Sequence, residues 1–210
     1  MSLPFLVPPH IWDCRVHPAA SVLASAVRGF SPERLREVEE QWTPARLSIA
    51  ERAQAIGTQI ENFHWRWTDK DASVRLRQQA VLAIEAGGET QGLLAINASL
   101  RASVIRPGGW VVYVDYIETA PWNLIVPGIQ TPRFAGVGSL LIGEAIRASV
   151  GTEANGSIGL HSLPQAENFY RTRCRMTQVG QDPLYGNLVY FEYQDSAAAL
   201  QWLAERGRVR

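Results

Sequence analysis

Cysteine is scarce in this chain of 210 residues: Cys14 and Cys174 are the only two, and neither lies in a Cys-x-x-Cys or Cys/His cluster. No disulfide framework or zinc site is supported, no metal is expected, and a reducing cytoplasm is the natural setting. Charge imbalance is absent as well, with 20 basic residues against 20 acidic ones. That balance speaks against a nucleic-acid partner, and Arg171, Arg173 and Arg175 read as a solvated helix face. Long apolar runs are also missing: none reaches membrane-spanning length, and residues 1–9 lack the basic region and apolar core of a signal peptide. A soluble protein without a membrane partner is expected. No repeat, low-complexity tract or linker interrupts the sequence, so residues 1–210 are read as one domain.

The apolar residues that are present fall into two patterns. Residues 1–73 read mostly as helices and connections. Ser31-Pro32-Glu33 supplies an N-cap, a proline for the first helical position and an early acid, which predicts a helix to about Gln41. Thr43-Pro44 repeats the device, and Leu47, Ala50, Ala53, Ile56 and Ile60 then recur at helical spacing, leaving Arg46, Glu51 and Arg52 for the wet side. These two helices are expected to flank a substrate cleft. Residues 74–195 change to short β-prone runs. Residues 81–86 and 92–97, joined by Gly87-Gly88-Glu89, predict an antiparallel hairpin, and 110–118 a central strand. A helix over 140–150, a strand over 157–163, a helix from Pro164 to about Arg173 and a strand over 188–193 come next. Residues 196–210 form a capped terminal helix, ending before Gly207, and a tail.

Between the central strand and the 140–150 helix stands Arg133-Phe134-Ala135-Gly136-Val137-Gly138-Ser139. Glycines there let backbone N–H groups converge on one point, and the helix adds its unpaired amino-terminal N–H groups and positive dipole end. A pyrophosphate fits such a loop. No Lys-Ser or Lys-Thr follows, as a nucleotide triphosphate loop requires, and no third glycine completes a dinucleotide fingerprint.

The Arg-x-x-Gly-x-Gly pattern before an apolar helix resembles the cofactor loop of the GCN5-related N-acetyltransferase (GNAT) superfamily, and the element order over 74–195 is similar to that family's whole core. The resemblance implies an α/β (α+β) fold: a mixed, mostly antiparallel central sheet flanked by helices, with splayed fourth and fifth strands. It implies acetyl-CoA as acyl donor, held by Arg133, Phe134, Ala135, Gly136, Val137, Gly138, Ser139 and Asn168, with the pantetheine arm beside Ile117, Thr119 and Ala120 in the splay. Ala166-Glu167-Asn168-Phe169-Tyr170 matches an Ala-x-x-Phe-Tyr-like helix of the family, which implies that Tyr170 protonates the leaving thiolate. A phenol suits that task because it is a neutral donor at pH 7. The family's usual Gly-Phe ending is replaced by Cys174-Arg175-Met176, which puts the following turn in question.

The attacking amine must lose a proton, and Asp115 and Glu118 are the nearest candidate bases, Glu118 preferred. Three apart on a regular strand they face opposite sides, so only a bulge brings both to the cleft; either could instead pair with an arginine. His161 suits proton relay or a hydrogen-bonded structural place. His64 and Trp65, within an aromatic segment, could wall the acceptor pocket or pack helix against sheet. Trp122 and Asn123 could orient substrate on a lid or cover a sheet edge. The resemblance implies direct transfer in a ternary complex to an amine-bearing small molecule or protein, and no serine or cysteine has a convincing base partner. A non-catalytic acyl-CoA-binding subunit and a toxin-type transferase are the alternatives. The oligomeric state, a homodimer included, stays open.

Overall fold

A computed structural model describes residues 9–70 and 79–206. The expected start of the core at 74, the segment 1–8 and the stop at Gly207 lie outside them. Three short strands, β1 (His10–Asp13), β2 (Ala20–Leu23) and β3 (Ser25–Arg28), precede α1 (Pro32–Ala55). The hairpin follows as β4 (Gln79–Ala86) and β5 (Glu89–Ala102), then β6 (Trp110–Thr119), β7 (Phe134–Ala135) and α2 (Val137–Val150). The chain closes with β8 (Ile158–Ser162), β9 (Thr177–Asp182), β10 (Leu188–Glu192) and α3 (Ser196–Arg206). The larger sheet runs β3-β4-β5-β6-β8-β10-β9, and β2-β1-β7 form a small second one. Among the described residues only β6 and β8 pair in parallel, and the other pairings are antiparallel.

The sheet has two apolar faces. One, with Leu82, Ile84, Leu94, Val112 and Val114, packs under Leu141, Ile142, Ala145 and Ile146 of α2 and under α3. The other, with Val81, Ala83, Leu93 and Ala95, packs under Leu35, Val38 and Trp42 of α1. Gly92 lets α2 approach: a Cβ there would stand 2.8 Å from Leu141 Cδ1 and 2.9 Å from Val137 Cγ1.

Several expectations are corrected. The two amino-terminal helices are one, with Pro44 inside it. The break expected at Thr43-Pro44 does not occur, because the carbonyl that proline leaves unpaired belongs to Glu40 on the exposed side, where water reaches it. The buried face is also rotated from the one expected. Leu47 and Ile56 are exposed, whereas Arg46, assigned to the wet side, is 4% exposed and belongs with Leu35, Val38, Trp42, Ile49 and Ala53. Strands β1, β2, β3 and β9 were not expected; each is short or exposed and carries little apolar alternation.

Candidate functional site

Gly136 is the N-cap of α2 and holds φ at +96°, a left-handed conformation that glycine adopts without a steric penalty. Leu140 donates its N–H back to Gly136, so the first-turn N–H groups at 137, 138 and 139 point out of the helix without helical partners. Not every backbone N–H of the motif is available as a donor. Arg133 N–H is spent on the Trp122 carbonyl at 2.9 Å, and Phe134 N–H on Asn123 Oδ1 at 2.9 Å. Phe134 is itself buried, and Ala135 pairs with Trp12 of β1. The Arg133 and Phe134 N–H groups are therefore spent, those at 137–139 belong to the open first turn of α2, and the Arg133 guanidinium lies over the Trp122 ring. Phe169 closes against that turn, since a Cβ on Gly138 would stand 3.2 Å from its Cζ.

Beside this loop the sheet opens. β6 and β8 pair through Val112–Ile158, Tyr113–Gly159 and Val114–Leu160, and no pair is formed beyond. The register of β6 on β5 slips by one residue between Val114 and Tyr116, a bulge at Asp115. The required bulge is thus present. Asp115 turns toward Arg101 and Tyr116 toward Trp65 and Trp67, while Glu118 reaches the α1 side and Ile117 the α2 side. Ala120 N–H is already bonded to Gln91 O at 2.8 Å, and Thr119 pairs with Gly92.

Glu118 is 5% exposed and its carboxylate is saturated. It accepts from Trp67 Nε1 at 2.7 Å, Asn62 Nδ2 at 2.9 Å and Arg46 Nη2 at 3.3 Å. Arg46 Nη1 also donates to Glu39 at 2.8 Å and to the Trp65 carbonyl at 2.6 Å. Burial pushes the Glu118 carboxyl up to about 6, against the pull of the Arg46 guanidinium and the Trp67 hydrogen bond. Asn62 also accepts from Gln165 Nε2 at 2.9 Å, so one amide links β6 to the chain just past β8 and spans the opening. Asp115 stands 3.8 Å from Arg101 at the start of the splay.

Tyr170 sits in a π-helix over Phe169–Arg173, packed on Phe169 and Phe191. Burial holds its phenol well above the ordinary value, and no hydrogen bond contributes to that shift. The Cys174 N–H bonds to Phe169 O, five residues back, so this turn takes one residue more than an α-helical one. The departure from the family ending follows from that: Arg175 takes the left-handed φ of +57° that a glycine would take, and Met176, 3% exposed, enters the core. Asn168 is exposed at the start of the same turn. Arg171, Arg173 and Arg175 are exposed, as a solvated face requires.

The remaining candidates separate. His161 has both ring nitrogens engaged, Nδ1 with Tyr113 OH at 2.6 Å and Nε2 with Asp182 at 3.2 Å, and it stacks on Tyr185 at 3.9 Å. Burial lowers its pKa. Trp122 and Asn123 do not form a lid. Both are buried and donate to Gln91 Oε1 at 2.9 Å, and Trp122 meets Trp42 edge-on, so they anchor the 120–133 connection. His64 is exposed and touches Phe63, whereas Trp65 is half-buried against Tyr116. Sequence reasoning missed Arg46, Asn62, Trp67, Gln91 and Gln165. For Arg46 a signal existed: taking the helical period from Leu35, Val38 and Trp42 places it on the buried face.

No protein-family model matches the sequence, and no curated protein sequence matches it. Solved structures do. FeeM, an N-acyl amino acid synthase from uncultured soil microbes, is 12% identical over 82% of this chain and 91% of its own, with a TM-score of 0.51. The PaiA N-acetyltransferase from Thermoplasma acidophilum, in complex with coenzyme A, is 13% identical over 80% of this chain and 98% of its own, at 0.49. A bacterial toxin is 20% identical over 66% and 78%, at 0.45. The likeness to FeeM, at 12% identity and a TM-score of 0.51, establishes the fold alone. That fold is GNAT-like: a mostly antiparallel mixed sheet, opened between its fourth and fifth core strands and flanked by helices. Among the described residues no helix is long and apolar enough to cross a membrane.

Proposed function

We propose that this protein is an acyl-CoA-dependent N-acyltransferase. The observation that carries this reading is a coincidence of two vacant sets of backbone donors. The first-turn N–H groups at 137–139 lie at the end of the connection that leaves β6, and β6 loses its β8 partner from residue 115 onward. A pyrophosphate answers the first set, and a pantetheine amide chain answers the second by pairing along the strand. The Tyr170 phenol, buried beside Phe169 and Phe191, is a third group that supports the reading, as a donor for a bound sulfur.

In this reading the amine attacks the thioester carbonyl carbon, a C–N bond forms, and the C–S bond breaks. Tyr170 donates to the departing thiolate. The ammonium proton goes to Asp115, not to Glu118 as the strand position first suggested. Asp115 lies at the bulge where the splay begins, beside Arg101, and the Glu118 carboxylate is held by Arg46, Asn62 and Trp67. Positioning supplies most of the rate, because no protein nucleophile takes part. The test is thiol release from acetyl-CoA with a panel of primary amines. Turnover should fall at least about tenfold in Tyr170→Phe and Asp115→Asn, with acetyl-CoA binding retained.

A second reading has an observation of its own. A saturated Glu118 suits a non-catalytic acyl-CoA-binding subunit, in which that carboxylate only holds the 58–70 segment. Acetyl-CoA binding without thiol release for any amine selects that reading.

A further inference from the structure

Lys70 is the single lysine among the chain's 20 basic residues. Its ammonium nitrogen lies 3.9 Å from the centroid of the Trp65 ring and 3.7 Å from that of Tyr116. The two rings meet at 5.9 Å and 82°, so they form two walls of a corner around one cation. Such a corner is a cation-binding device, since the negative faces of both rings point at the charge. Tyr116 stands on the splayed part of β6, between bulged Asp115 and Glu118, on the side of the sheet turned toward α1. All three members of the cage are half-buried.

We infer that the Trp65–Tyr116 corner is the ammonium site of the acceptor, and that Lys70 occupies it in the free protein as a stand-in for the substrate. This rests on the transferase reading and adds to it the acceptor class: a primary ammonium on an unbranched methylene arm, which is what a lysine side chain is. Arginine, used at every other basic position, would put a planar guanidinium there instead. The Glu118 carboxylate attracts the same ammonium, while burial destabilises its charge and brings Lys70 down to about 8. Arg46 repels it, and Asp69 and Glu39 attract it.

The test is equilibrium binding of n-butylammonium, a lysine side chain without its backbone, followed by ligand-observed NMR on the full chain. Wild type, Lys70→Met and Lys70→Gln are compared, each checked for its fold by circular dichroism. Several-fold tighter binding by the Lys70 variants, cancelled when Trp65→Leu is added, is the expected result. Binding no tighter than wild type, or tightening that survives Trp65→Leu, overturns the inference. If both Lys70 variants unfold, the wild type at pH 9 replaces them. Lys70 is then mostly neutral, and n-butyltrimethylammonium, whose charge cannot titrate, serves as the probe, so binding should tighten relative to pH 7, and unchanged binding overturns the inference. Failure of the transferase reading shows separately, as absence of acetyl-CoA binding.

Discussion

Replacing Arg46 with methionine removes one guanidinium from between two carboxylates that water does not reach. Arg46 is 4% exposed, Glu39 8% and Glu118 5%. In the wild type Arg46 donates to Glu39 at 2.8 Å, to Glu118 at 3.3 Å and to the Trp65 carbonyl at 2.6 Å. Methionine fills much of the stem's volume, so the loss is electrostatic more than steric. Removing one partner of a buried ion pair costs about 3–5 kcal/mol. The remaining donors, Asn62 and Trp67 to Glu118 and the Trp67 N–H to Glu39, soften the loss without cancelling it. For a chain of this length that corresponds to a fall in Tm of about 6–20 °C. Urea unfolding measures it directly, with the midpoint lowered and the slope unchanged. Combining Arg46→Met with Glu118→Gln should cost less than the sum of the two, because the second change removes the charge that the first strands. A loss below about 1 kcal/mol, the size of an exposed pair, would refute the burial of this network.

Glu118→Gln should flatten the dependence of stability on pH. The folded-state pKa of about 6 lies above the ordinary 4.5, so the folded chain binds this proton more tightly and stability falls as pH rises from about 4.5 to about 6. The shift corresponds to about 2 kcal/mol, and an unchanged slope in the variant contradicts it. Gly138→Val adds branched bulk where even a Cβ meets Phe169 at 3.2 Å, so it should weaken acetyl-CoA binding at least about tenfold by disturbing the loop and the Tyr170 turn together. Calorimetry checks this, and wild-type affinity counts against the packing described. Tyr170→Phe should leave affinity for acetyl-CoA within about twofold while slowing thiol release; equal loss of both would make Tyr170 a packing residue only.

The β-rich core was legible because its signals are local. Gly87-Gly88, with φ of +63° and +78°, turns the hairpin as predicted, and short, largely apolar runs between turns mark β4, β5, β6, β8 and β10. The glycine loop was legible for the same reason. What escaped depends on contacts between distant parts of the chain. Arg46 looks like a surface arginine until Glu39 and Glu118 are brought to either side of it. Pro44 looks like a helix start until the exposed carbonyl of Glu40 is known. Trp122 and Asn123 look like lid residues until Gln91, some thirty positions earlier, is found beneath them. The bulge at Asp115 was required by the chemistry, but its position follows from the pairing of β6 with β5 and from no local motif.

The central claim is that residues 136–139 and the opening beside β6 hold an acyl-CoA. Calorimetric titration of acetyl-CoA and free CoA into wild type and Gly136→Glu tests it most directly, because the variant puts a strained side chain and a negative charge where the pyrophosphate would lie. Dissociation constants of micromolar order in the wild type, lost in a folded Gly136→Glu, are predicted. No heat of binding with a folded wild type, or equal affinity in the variant, would contradict the account.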